Sequence, residues 1–160
     1  MIALARVDDR LVHGQVTAGW VPHVHATVVV VANDRIAGDP LLADIVKTAA
    51  SGVPIEVLTV TEAARRCAGG AWERDAALLL FESLQDACRA LDAGLPVAQL
   101  NIGGLRHETG RLCLCDGVTL DGEDCALLRE LARRGVGIDV RLMPRDRACA
   151  LPRDLGSGGA

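Results

Sequence analysis

The sequence predicts a single-domain α/β protein: an open, mostly parallel β-sheet with helices on both faces. Three observations predict it. Short β-rich runs alternate with helical patterns from the first residues onward. Val28-Val29-Val30-Val31 is unbroken, as expected of a strand buried on both faces. The chain is 50% hydrophobic, yet Phe and Trp make up only 2% and Tyr is missing, so its interior must be built from Ala, Val, Leu and Ile. Its 160 residues fit one domain, expected over 1–150 with a loose Gly/Ser-rich tail over 151–160.

Residues 2–7 read as the first strand, followed by a polar turn and a short helix that begins near Gly14 or Gln15 and ends before Pro22. Residues 26–32 form the second strand. Asp39 caps a helix with Pro40 at its first position and Leu41, Leu42, Ile45, Val46 and Ala49 at helical spacing, and Gly52 stops it. The third strand spans 55–60, with Thr61 as the cap of the next helix. The fourth spans 77–81, before a helix over about 83–93 that Gly94 closes. Residues 96–102 are the fifth strand. After the polar run 106–111, residues 112–115 and 117–120 make one or two short strands. Asp121 then caps a helix ended by Gly135, and 138–143 is the last strand.

A formal net charge of -4 and a pI near 5.5 argue against a nucleic-acid or anionic-membrane footprint. The start MIALARVDDR turns charged too soon for a signal-peptide core, and no apolar run reaches the ~20 residues of a bilayer span. A cytoplasmic location is expected, with the six cysteines as buried reduced thiols. Alternation puts Cys113 and Cys115 on one strand face, and no second ligand pair accompanies them. His23-Val24-His25 also lacks a third ligand, so no metal is expected. Gly103-Gly104 lacks the rest of a dinucleotide fingerprint and there is no P-loop; no cofactor is expected.

In such sheets ligands meet the loops at the carboxyl ends of strands. The first of these, Arg6-Val7-Asp8-Asp9-Arg10-Leu11-Val12-His13-Gly14-Gln15, crowds two arginines, two aspartates and a histidine into one turn. Phosphoryl transfer needs a nucleophile, compensation for charge on the transferring oxygens, and donors to hold them. His13 suits the nucleophile because a neutral ring nitrogen attacks and releases phosphate reversibly. Arg10, and with it Arg6, offers forked charge-assisted hydrogen bonds, while Gly14 and Gln15 at the helix start offer backbone N–H groups. Asp8 and Asp9 would repel a phosphate, so they are assigned to holding an arginine or orienting the imidazole. On residue chemistry alone, a charged surface turn whose histidine packs or caps the helix is the commoner reading of such a string.

The turn, with Val16 and Trp20 after it, resembles the signature of the mannose/sorbose-family IIB components of the bacterial sugar phosphotransferase system (PTS). Val31-Ala32-Asn33-Asp34, Leu80-Phe81-Glu82-Ser83, Leu100-Asn101-Ile102-Gly103-Gly104-Leu105-Arg106 and Val140-Arg141-Leu142-Met143-Pro144 resemble further family segments in the same order. The resemblance implies that His13 takes a phosphoryl group from a phosphohistidine of a IIA partner, through Nδ1, and delivers it to a sugar entering through IIC and IID membrane subunits. It implies membrane association only through those subunits, and sugar selection in them. Mannose, fructose, sorbose and N-acetylated amino sugars stay open, as does a homo-oligomer. The family is also an open α/β sheet. One departure is Ala49-Ala50-Ser51-Gly52, where many relatives carry proline after the Ala-Ala pair. The alternative from another class is a non-catalytic regulatory or interaction protein that keeps the fold.

Four weaker candidates stand beside the turn. Ser83 follows a strand and precedes a helix, which suits a phosphate donor or a plain N-cap. Asn33 and Asp34 suit a pocket lining or turn chemistry. Trp20 suits core packing or a partner surface.

Overall fold

The computed structural model describes residues 1–49, 52–106 and 112–156. The Ala50-Ser51 departure, most of the polar run after Arg106 with His107, and the last four residues of the expected tail lie outside them. The strands are β1 (Ile2–Asp8), β2 (Val28–Ala32), β3 (Ile55–Leu58), β4 (Ala77–Phe81), β5 (Gln99–Gly104), β6 (Leu112–Cys115), β7 (Val118–Leu120) and β8 (Gly137–Val140). Six pair in parallel in the order β3-β2-β4-β1-β5-β8, while β6 and β7 form a separate antiparallel pair. The helices are α1 (Val21–His23), α2 (Asp34–Ala37), α3 (Pro40–Lys47), α4 (Val60–Ala68), α5 (Leu84–Asp92), α6 (Gly122–Arg133) and α7 (Arg153–Gly156), with a π-helical turn over Gln15–Trp20.

Alternation along the strands makes two cores. Val7, Val30, Leu79 and Ile102 meet Ala63, Ala87, Leu128 and Leu131 of α4, α5 and α6 on one face. Val29, Val31, Leu78 and Leu80 meet Val16, Trp20, Ile36 and Ala43 on the other. On that second face one register row crosses the whole sheet: Val57, Val31, Leu80, Arg6, Asn101 and Asp139 are successive lateral neighbours. The row is apolar on β3, β2 and β4 and polar on β1, β5 and β8. The polar half is where the turn that carries His13 emerges.

Local signals placed most elements well. Asp39 and Ser83 cap α3 and α5, and Asp121 and Asp124 close a capping box on α6. Thr59, two residues before the expected Thr61, caps α4. The helix over α3 ends at Lys47 instead of reaching Gly52. Asn33 and Asp34, expected in a turn, open the short helix α2, with Asn33 as its cap. Pro22 does not stop the first helix. A π turn, with Val21 N–H on the Val16 carbonyl, leads into α1, whose first turn accommodates a residue without an N–H.

Within the span expected as tail, Arg153–Gly156 form α7, and Leu155 is buried in the core beside α6. The cysteines also differ from expectation. A β-bulge between Cys113 and Cys115 breaks the alternation, leaving Cys113 exposed and turning Cys115 into a disulfide with Cys149.

Candidate functional site

Arg6 and Asp8, two residues apart on β1, share the sheet face that Trp20 covers. The turn that follows is pinned at both ends: Asp9 N–H donates to the Gly104 carbonyl and Leu11 N–H to the Asp8 carbonyl, each at 2.9 Å. Leu11 takes a left-handed φ of 53°, a conformation costing a non-glycine residue about 1–2 kcal/mol. Its side chain is buried with Val16 and Trp20, and that packing holds the turn in shape. The chain then enters the helix, where the His13 carbonyl accepts from Val16 N–H at 2.9 Å and Thr17 N–H at 3.0 Å. Gly14 and Gln15 precede the first amide satisfied in this way, so their N–H groups lie in the unsatisfied first turn.

His13 is 16% exposed, and its Nε2 lies 2.9 Å from Asp8 Oδ2. The same oxygen accepts from Arg6 Nη2 at 2.8 Å, and Oδ1 accepts from Arg10 N–H at 3.2 Å. Burial pushes the Asp8 carboxyl up, but the His13 hydrogen bond and the Arg6 charge outweigh it and hold Asp8 below the usual carboxylate range. An ionised carboxylate only accepts, so the contact selects, for the neutral ring, the tautomer with the proton on Nε2 and the lone pair on Nδ1. Arg10, 34% exposed, keeps Nε 3.5 Å from Asp8 Oδ1 and donates through Nη2 to Gln15 Oε1 at 2.6 Å. It is the cation that the turn presents to solvent.

Arg6 requires a correction. Expected as a phosphate ligand, it is wholly buried and its fork is taken up inside the protein. Nη1 donates to Asn101 Oδ1 and to the Arg141 carbonyl at 3.2 Å; Nη2 donates to Asp8 and to the Leu142 carbonyl at 3.2 Å. The guanidinium lies 5.1 Å from the Trp20 ring centroid. Burial lowers its proton affinity, and Asp8 opposes that.

Asp9 does not touch the imidazole. It holds Arg106, whose Nε and Nη2 reach its two oxygens at 3.2 and 3.0 Å. Ser83 stands at the end of β4, two residues beyond the Val7–Phe81 pairing, and its hydroxyl oxygen accepts from Asp86 N–H as the cap of α5. Asn33 and Asp34 tie other elements together: Asn33 donates to Glu82, and Asp34 accepts from Val60 N–H and pairs with Arg89. Trp20 is buried, with its indole N–H on the Leu142 carbonyl at 2.8 Å.

Sequence reasoning missed Asn101, Asp139, Arg106 and the backbone at 141–142. Asn101 alternates with Leu100 and Ile102, a pattern that reads as a solvent-facing position. A cleft of about 470 Å³, lined by Ala18, Gly19, Pro22, His23, Met143, Pro144 and Arg145, flanks the helical turn that follows His13.

A histidine held through Nε2 by a buried carboxylate, in a turn that also carries a solvent-facing arginine at the carboxyl edge of a parallel sheet, marks this as a small α/β domain of defined type. The chain belongs to the sorbose-subfamily IIB components of the PTS, since the family described as "PTS system sorbose subfamily IIB component" matches residues 2–155. It is 31% identical over 147 residues to the sorbose-specific EIIB component of Lacticaseibacillus casei, covering 91% of this chain and 90% of that one. The crystal structure of the IIBSor domain of the Klebsiella pneumoniae sorbose permease superposes with a TM-score of 0.84 at 32% identity, over 92% of this chain and 91% of that one. The mannose-specific EIIAB component of Escherichia coli K12 is 29% identical over 91% of this chain, which spans 46% of that longer protein. The chain is therefore a PTS component with a general phosphotransfer role in sugar uptake.

Proposed function

We propose that His13 is the phosphoryl acceptor, taking the group from a phosphohistidine of a IIA protein and giving it to a sugar at a IIC/IID membrane complex. The observation that carries this reading is the Asp8–His13 contact, which engages Nε2 and leaves Nδ1 without a hydrogen-bond partner among the described residues, in a turn whose Arg10 is held by the same carboxylate. In the first step Nδ1 attacks phosphorus as the donor's P–N bond breaks, and that electron pair returns to the donor imidazole. Nδ1 carries no proton, so none has to leave. In the second step a sugar hydroxyl attacks phosphorus, the P–N electron pair returns to His13 Nδ1, and the hydroxyl proton passes to solvent. Arg10 is placed to neutralise the phosphoryl oxygens, with Gly14 and Gln15 N–H groups completing the cradle. Sugar selection falls to the membrane subunits, and membrane contact is made through them.

The test is phosphoryl transfer in vitro. With phosphoenolpyruvate, the general carrier proteins and a cognate IIA, the chain should acquire one acid-labile phosphate, and His13→Ala should acquire none. Label persisting in His13→Ala, or no label from an active IIA, would overturn the proposal. Sugar uptake unchanged by His13→Ala but altered by loss of the chain would assign it a regulatory, non-catalytic role.

A further inference from the structure

Buried polar groups on this sheet face form one connected chain. Asn101 sits between Arg6 and Asp139 in register, with β1 on one side and β8 on the other. Its Oδ1 accepts from Arg6 Nη1, and its Nδ2 donates to Asp139 Oδ2 at 2.8 Å and to the Asp139 carbonyl at 3.2 Å. Arg141 Nε closes the far end on Asp139 Oδ1 at 2.9 Å. The amide orientation follows from its neighbours. A guanidinium only donates and a carboxylate only accepts, so the carbonyl end must face Arg6 and the NH₂ end Asp139. Asn101 is 1% exposed and Arg6 is fully buried, so water does not stand in for either partner. In such an interior, hydrogen bonds polarise one another, and losing one leaves its neighbours unpaired.

Arg6 also has little freedom to move. A Cβ built on Gly103 would lie 1.6 Å from Arg6 Nη2, so the guanidinium is pressed against the β5 backbone where only glycine fits. Trp20 covers its other side. One fork of this arginine is set by Asn101 and the other meets Asp8, whose remaining contact on the same oxygen is His13 Nε2.

We infer that Asn101 is a positioning residue for His13: through Arg6 and Asp8 it keeps the neutral imidazole in the Nε2–H tautomer with Nδ1 open. Asp139 of β8 anchors it, and Arg141, just past that strand, holds Asp139. The inference rests on the proposed acceptor role of His13 for its functional meaning, but the tautomer itself is a property of the unphosphorylated protein.

The experiment is ¹⁵N NMR of the His13 ring in the full chain, above the pH at which the ring takes its second proton. Wild type should show a single Nε2–H tautomer. Asn101→Ala, which leaves Arg6 Nη1 only the Arg141 carbonyl, should show a mixture with a substantial Nδ1–H fraction. Its phosphate acceptance should fall roughly tenfold or more at unchanged affinity for IIA, in the range seen when outer partners of ligand histidines are removed. A folded Asn101→Ala with the wild-type tautomer overturns the inference, whatever its stability. An altered tautomer in a protein whose His13 never accepts phosphate would sustain the positioning role and sink the phosphocarrier reading instead. If the variant does not fold, the wild type still decides. The Asn101 NH₂ resonances should shift in step with protonation of the His13 ring, and resonances that stay fixed overturn the inference.

Discussion

Asp8 uses both of its oxygens on four donors drawn from Arg6, Arg10 and His13, and none of its own surface reaches water. Replacing it by Asn exchanges an acceptor for a donor in front of Arg6 and the imidazole. Asp8→Asn should lower phosphate acceptance at least a hundredfold, read by the rate of labelling, because one oxygen cannot serve donors that occupy both in Asp8 and the charge that fixes the imidazole is lost. The same carboxyl gives a pH signature. Its folded value lies below its unfolded one, so its stabilisation is fully present above about pH 4 and lost as pH falls through the folded value. The stability difference between wild type and Asp8→Asn should therefore shrink as pH falls below about 4, as measured by urea unfolding. Gly103→Ala tests the packing around Arg6. A methyl 1.6 Å from Nη2 must displace a buried cation, and a loss of about 3 kcal/mol or more is expected from the same unfolding measurement.

The elements that the sequence revealed best are those with local punctuation. Asp39, Ser83 and Asp121 each accept from backbone amides two or three residues ahead, a reach that needs no tertiary partner. Ser83→Ala should cost about 1 kcal/mol in thermal or urea unfolding through loss of the α5 cap, while phosphate acceptance by His13 changes less than twofold. A large loss of acceptance with little loss of stability would make Ser83 a phosphate ligand instead. Punctuation failed where packing set the boundary. Pro22 was expected to end a helix, yet it fits because the preceding π turn, packed through Val16 and Trp20, carries the chain into α1. Alternation likewise predicted one face for Cys113 and Cys115, and a single extra residue opposite Thr119 and Val118 separated them.

At the scale of the molecule, the Cys115–Cys149 disulfide joins β6 to the segment after β8 across 34 residues. That segment supplies the Arg141 and Leu142 carbonyls that hold Arg6 and Trp20. A closed loop of this size removes enough unfolded-chain entropy to stabilise by up to about 4 kcal/mol. Dithiothreitol, or replacement of both cysteines by Ser, should lower the thermal midpoint measurably, and an unchanged midpoint would show that the link does not constrain the unfolded chain. Pairing at such a distance cannot be read from spacing, which is why reduced thiols were the natural expectation. The sequence alone determined the fold class, the strand order along the chain and the turn that carries His13, because periodicity and composition are local records of burial. It also marked Arg10 and Asp8 as neighbours of the histidine, since a short turn keeps them close. Only the tertiary structure decided which arginine faces solvent. Arg6 and Arg10 are chemically the same, but the parity of β1 turns Arg6 into the sheet face beneath Trp20, where Asn101, 95 residues away in the chain and itself held by Asp139, accepts from its Nη1.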